Sequence, residues 1–206
     1  MYIQMNIQSA GVAGTGERKM RTELSARIAQ MQQKLSGLQP ATRVHADTQL
    51  FVSSDLVCRK LVTLADIRPG SRVLEPSAGT GAIVRAVLAA VPEVICQCVE
   101  MNAALAEHLS ATFPEVAVTC ADFLSCAPQP VYDRIIMNPP FRHGDDLKHI
   151  RHALKMLAPG GNLVAVCANG PRQQREFKDI ATHQEALPRG TFAYTDVSTM
   201  IVRIDA

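Results

Sequence analysis

The sequence predicts an α/β fold built on a mostly parallel sheet, and three observations carry that prediction. Strand-like and helix-like patterns alternate from about residue 70 to residue 167, which implies parallel pairing through right-handed crossovers. The strand-like runs are continuously apolar rather than alternating, as expected of strands covered on both faces by helices. A glycine-rich turn joins the first strand to the helix that follows, where open α/β sheets bind their ligands.

Residues 1–16 are small and polar and read as a loose tail. Over residues 17–36 the apolar positions Met20, Leu24, Ile28, Met31 and Leu35 recur at spacings of four, four, three and four, which marks one face of a helix. Gly37 and Pro40 end it. Arg18, Lys19, Arg21, Arg27 and Lys34 give that helix a basic character. It is expected either to dock on the domain with its charges solvated or to serve as a contact for a protein partner, a second copy or a nucleic acid. Residues 54–65 form a second helix, stopped by Pro69-Gly70. Then follow a strand at 72–74, a helix at 82–90, a strand at 94–99, a helix at 103–113 and a strand at 116–119. A strand at 134–137, a helix at 145–157 capped by Asp145 or Asp146, a turn at Pro159-Gly160-Gly161 and a strand at 163–167 complete the alternation. A helix at 173–181 and a final strand at 199–204 close the chain. The domain organisation expected is a tail and amphipathic helix over 1–47 and one α/β domain over 48–206.

Composition narrows the function classes. The 206 residues are 47% hydrophobic and 19% charged, with a formal net charge of +2. Bulk charge therefore does not announce a polyanionic partner, and a nucleic acid has to be held by a local patch. The six cysteines form no C-x-x-C pair, which argues against a zinc ribbon or a thioredoxin-like site. Cys96, Cys98 and Cys167 lie in apolar runs and read as small core residues. No run approaches the roughly 20 apolar residues of a membrane span, and the N-terminus lacks the apolar core of a signal peptide. A reducing cytoplasm is the expected compartment.

Three features carry chemistry. The first strand runs into Glu75-Pro76-Ser77-Ala78-Gly79-Thr80-Gly81. Glycines there let backbone approach a ligand, and the next helix presents free N–H groups to it. Val84 stands where a dinucleotide fingerprint has its third glycine, so a nicotinamide-type oxidoreductase is disfavoured. The second feature is a pair of strand-end acids. Glu100 closes the second strand, where a carboxylate can accept from ribose hydroxyls, and Asp122-Phe123 follow the third. The third is Asn138-Pro139-Pro140-Phe141, directly after the fourth strand. A conjugated NH2 group is a poor nucleophile because its lone pair is delocalised. Two fixed acceptors, the Asn138 side-chain carbonyl and the Pro139 backbone carbonyl, can draw its hydrogens out of plane and localise that pair. Consecutive prolines preorganise the acceptors, and Phe141 offers a flat face to a base or amide.

From about Phe51 onward these motifs resemble class I S-adenosylmethionine-dependent methyltransferases. The EPSAGTG and NPPF forms resemble the amino-methyltransferases that act on adenine N6. The resemblance implies a Rossmann-like fold with a seven-stranded, mostly parallel sheet and an antiparallel C-terminal strand. It implies a cofactor pocket of Glu75, Ser77, Ala78, Gly79, Gly81, Glu100, Met101, Asp122 and Phe123. There, Glu75 takes the methionine ammonium, Glu100 the ribose, and Asp122 and Phe123 the adenine. Phe51 and Ser53 occupy the place of an upstream aromatic-Thr-Pro element, with Ser53-Ser54 in place of Thr-Pro. The implied catalytic segment is Asn138, Pro139, Pro140 and Phe141, and the implied product is S-adenosylhomocysteine. The donor is already activated, so no metal is needed, although His149 and His152 sit at helical i, i+3 spacing. Phe192, in the turn before the last strand, is implied to lie near the target pocket.

The substrate implied is a nucleic acid, most readily adenine N6 of DNA or RNA. The alternatives are protein glutamine, or a catalytically silent cofactor-binding module acting through a partner. Fewer than 40 residues follow Cys167, too few for an extended base-reading surface. Basic residues at Arg142-His143-Gly144 and between Arg172 and Lys178 are candidates for phosphate contacts.

Overall fold

The structure, a computed structural model, describes residues 53–192 and 197–206. The tail, the helix expected over 17–36 and Phe51 lie outside the described residues.

Helix α1 (Asp55–Ala65) begins where Ser54 Oγ accepts from Val57 N, and it ends at Asp66, which has φ 48°. Strand β1 (Arg72–Glu75) leads through the glycine turn to α2 (Ala82–Ala90). Then come β2 (Ile95–Glu100), α3 (Ala103–Thr112), β3 (Ala117–Cys120), β4 (Tyr132–Met137), α4 (Asp145–Leu154) and β5 (Leu157–Ala168). The chain closes with α5 (Pro171–Phe177), β6 (His183–Ala186) and β7 (Thr199–Asp205). The seven strands form one sheet in the order β3-β2-β1-β4-β5-β7-β6. β1 to β5 pair in parallel, and β7 runs antiparallel between β5 and β6. The expected sheet, including its antiparallel C-terminal strand, is thus the one observed.

Burial explains why the central strands are uninterrupted apolar runs. Ile135, Met137, Leu163, Ala165, Cys167 and Val202 face α4 and α5, packing with Leu147, Ile150 and Phe177. Their immediate neighbours Ile136, Val164, Val166 and Ile201 face the other way, against Val57 and Leu61 of α1 and Ile83 and Val87 of α2. The period is still two, but both faces are dry. Leu109 and Phe113, at the end of α3, pack with Val84, Cys96 and Cys98.

Three local expectations change, and one strand is new. Pro159-Gly160-Gly161 does not precede β5 but lies inside it, as a bulge. Between the pairs Tyr132↔Leu157 and Arg134↔Asn162, β4 advances two residues and β5 five. Gly160 takes φ 77° there, and a Cβ on Gly161 would stand 2.9 Å from two backbone oxygens. α4 is capped by Gly144 rather than by an aspartate side chain. The helix expected over 173–181 spans Pro171–Phe177. The strand β6 has the polar sequence HQEA; it is an edge strand held by backbone pairing to β7, so it carries no apolar signature.

Candidate active site

The carboxyl ends of β1, β2, β3 and β4 surround a cavity of about 630 Å³, within the range of small-molecule sites. β1 and β4 are adjacent at the sheet centre, where strand order reverses. The cavity is lined by Glu75, Ser77, Ala78 and Gly79 from the first turn, by Glu100 and Met101 from the second, and by Asp122 and Phe123 from the third. Ser53, Asn138 and Pro140 complete the side nearest β4. Most residues expected from sequence therefore meet in one place.

The turn is built around Glu100. Its Oε2 accepts from Gly79 N at 2.8 Å and its Oε1 from Asn102 N at 2.8 Å. Each carboxylate oxygen keeps a second acceptor site for a ligand. Gly79 has φ 55° and Gly81 φ 78°, conformations that glycine adopts without strain. Gly81 nevertheless does not line the cavity. A Cβ there would come within 2.6 Å of the Phe113 ring and 2.7 Å of Leu109, so this glycine serves the close packing of the turn against α3.

Glu75 is buried, and its Oε2 has no hydrogen-bond partner. Burial pushes its carboxyl well above the usual carboxylate range, only partly offset by a bond from the Val84 backbone, while Glu100 adds to the rise. A cationic ligand group would relieve both conditions. Among the described residues, the cavity walls include Glu75, Glu100, Asp122 and Asp145 and no lysine or arginine. That balance suits a ligand with ammonium and sulfonium charges and disfavours one bearing phosphates.

At the end of β4, Asn138 Nδ2 donates to Ser53 Oγ at 3.1 Å. The bond sets which end of the amide is the donor and leaves Oδ1 as the acceptor end. Ser53 is buried and immediately precedes the cap of α1, so a helix start from 85 residues upstream orients the asparagine. Pro139 is buried, and Pro140 lines the cavity. The Phe141 ring is buried away from the cavity lining and meets Phe192 edge to face, with centroids 6.2 Å apart. Phe192 is thus beside the NPPF segment, although it does not line the cavity.

Asp122 is exposed, and its carboxylate caps the next turn, accepting from Leu124 N at 3.0 Å and Ser125 Oγ at 3.3 Å. Phe123 is buried against two histidines. Its ring stacks with His149 at 5.9 Å and meets His152 edge-on at 4.9 Å. The sequence shows only their i, i+3 spacing. His149 is buried and lines the cavity, with Nδ1 against the Asp145 carbonyl at 2.8 Å. As that bond makes Nδ1 the donor, Nε2 is the acceptor end. The i, i+3 spacing places both rings on the α4 face that covers Phe123, which is the signal that identifies His149. No group of three His, Cys, Asp or Glu side chains that could hold a metal ion occurs among the described residues. None of the described helices is long and apolar enough to cross a membrane.

A seven-stranded sheet with an antiparallel β7 and a ligand cavity at the β1/β4 switch defines a class I methyltransferase fold. The model of the methyltransferase small domain family matches residues 39–191, and the chain belongs to that family, whose methyl donor is S-adenosylmethionine. The chain is 36% identical over 107 residues to ribosomal RNA small subunit methyltransferase C of Shewanella loihica, covering 50% of this chain and 30% of that protein. It is 37% identical over 76 residues to ribosomal RNA small subunit methyltransferase A of Chlorobium phaeobacteroides, covering 37% of this chain and 28% of that one. The chain thus spans less than a third of the length of these curated relatives. Among solved structures, a putative RNA methyltransferase from Pyrococcus horikoshii superposes with a TM-score of 0.61 at 20% identity, over 75% of this chain and 86% of that one.

Proposed function

We propose that the protein methylates an exocyclic amino group of a nucleic acid, with adenine N6 of RNA as the target. The observation that carries this reading is Asn138. It stands at the end of β4 on the rim of a cation-suited cavity, with its amide nitrogen held by Ser53. A cofactor-binding module without chemistry has no use for an oriented acceptor at that position.

In this reading Glu75 holds the ammonium group, Glu100 the ribose, and Phe123 with His149 the adenine. Ser77, Ala78, Gly79 and Met101 shape the walls, and Asp122 supports the adenine side through the turn that it caps. When bound, S-adenosylmethionine supplies a methyl group whose bond to sulfur breaks as a bond to nitrogen forms, leaving S-adenosylhomocysteine. The Asn138 Oδ1 and Pro139 carbonyl oxygens accept the two hydrogens of the target amine and localise its lone pair toward the methyl group. The remaining work is alignment, a proximity effect. The extra proton leaves for solvent, and no side chain has to act as base.

The choice of RNA rests on the two curated relatives, both named for ribosomal RNA. The choice of a nucleobase over protein glutamine rests on Phe141, since the glutamine-modifying group most often has tyrosine at that position. Incubation with methyl-labelled S-adenosylmethionine and separated cellular RNA, DNA and protein tests the reading. Label is expected in RNA. Label confined to protein would move the substrate to glutamine, and tight cofactor binding without transfer to any fraction would indicate a silent module.

A further inference from the structure

Immediately after the NPPF segment the chain makes a tight turn through Arg142, His143 and Gly144 before entering α4. Arg142 and His143 are exposed. His143 has φ 53° and ψ 19°, a left-handed conformation that is rare for a residue with a side chain and recurs at functional sites. The next residue, Gly144, also has positive φ, and a Cβ on it would stand 2.7 Å from Nη1 of Arg172. The absence of a side chain at Gly144 therefore admits a guanidinium from a segment 28 residues away.

That approach is anchored from below. Asp146 is fully buried, and its two oxygens accept from Gln173 Nε2 at 3.2 and 2.9 Å. Its Oδ2 also accepts from Ala168 N at 3.0 Å. The buried bond joins the start of α4 to the start of α5, one residue beyond Arg172. It sets the turn and the arginine side by side.

The charges here are not balanced. Asp145 pairs with Lys148 at 2.7 Å and Glu176 with Arg151 at 2.6 Å. Asp146 is enclosed with its own partners. Arg142 and Arg172 make no ion pair with any described residue. Two uncompensated guanidinium groups therefore flank a turn that lies between Pro140 and Asp145, both of which line the cavity. The cavity itself is walled by carboxylates, so the positive charge sits at its rim and not where the cofactor fits.

From this arrangement we infer that Arg142 and Arg172 form a lip that grips the phosphodiester backbone beside the target nucleotide. The inference rests on the nucleic-acid reading above and adds where the substrate is held. Guanidinium groups suit phosphate because they donate two hydrogen bonds in its geometry. Backbone contacts of this kind fix register without reading sequence.

The test is equilibrium binding of fluorescently labelled RNA and DNA oligonucleotides of matched sequence to the full chain across a series of salt concentrations. Arg172→Gln and the double variant Arg142→Gln/Arg172→Gln are compared with Arg72→Gln, which removes an exposed cation at the other end of β1. Arg172→Gln is expected to weaken binding about 5- to 10-fold at low salt. It should also make the slope of log affinity against log salt shallower by about one. Arg72→Gln should change neither, and S-adenosylmethionine affinity should hold in all variants. Weakening in the RNA arm, the DNA arm or both supports the lip and identifies which backbone it takes. Wild-type binding that is unchanged in both lip variants would overturn the lip alone. No binding of either oligonucleotide by the wild type would overturn the nucleic-acid reading and the lip with it.

Discussion

Asn138 concentrates the residue-scale argument. An amide side chain can be rotated to present either end, and the bond from its nitrogen to Ser53 selects one. On the proposed mechanism, replacing Asn138 by alanine removes an acceptor used in the transition state and should lower kcat by about 100- to 1000-fold. S-adenosylmethionine affinity, read by calorimetry, should stay within about 3-fold; a collapse of affinity would make Asn138 structural. Glu75 gives a second residue-scale prediction. Burial raises its carboxyl well above the usual range, so the folded apoprotein keeps this proton to higher pH than the unfolded chain does. Its contribution to stability is complete below the ordinary carboxylate range and is lost as pH rises through the folded value. A cationic ligand reverses the preference, so cofactor binding should release a proton, detectable as a buffer-dependent binding enthalpy. Glu75→Gln should abolish that release and remove the apoprotein's loss of stability as pH rises above the ordinary carboxylate range. It should also weaken cofactor binding roughly 10- to 100-fold, the loss expected for a charge-assisted hydrogen bond. Proton release that persists in the variant would assign the coupling elsewhere.

At the scale of elements, the glycine turn divides its labour. Gly79 faces the ligand cavity, whereas Gly81 lies where the turn touches Phe113 and Leu109 of the α3 region. The G-x-G spacing was legible in the sequence, but the partner of each glycine was not, because α3 approaches from 28 residues away and carries no local signal. Gly81→Ala combines a left-handed φ with overpacking and should cost about 2–4 kcal/mol. In thermal unfolding this lowers the midpoint by roughly 4–12 °C; an unchanged midpoint would mean that α3 yields freely. Elements with an apolar period, such as β4, β5 and α1, were readable because burial dictates their composition. β6 was not, because an edge strand of His, Gln and Glu is set by its partner and not by its own residues. The bulge in β5 carries the signal of a turn, since Pro-Gly-Gly serves both, and only the pairing with β4 separates them. His149 shows the same limit at the site. Its position on α4 was legible, but its burial depends on Phe123, which arrives from the end of β3.

At the scale of the whole molecule, the sheet order brings four strand ends to one cavity, and the charges are sorted around it. Carboxylates line the interior, and Arg142 and Arg172, which form no ion pair with a described residue, belong to the segments at and beside the turn that follows the NPPF segment. This separation matches a reaction in which a cationic donor and a polyanionic acceptor meet at one nitrogen. The donor was legible from sequence because its pocket is built from turns whose residue types the chemistry fixes. The acceptor was less so, because backbone-gripping arginines look like any other surface charge until the fold places Arg172 over Gly144. Mass spectrometry of nucleosides from RNA methylated by the wild type and by Asn138→Ala tests the central claim most directly. N6-methyladenosine is expected with the wild type and should be nearly absent with the variant. A methyl group found on carbon or oxygen, or equal product from both proteins, would contradict the assignment of Asn138 as the residue that holds an amino group for methylation.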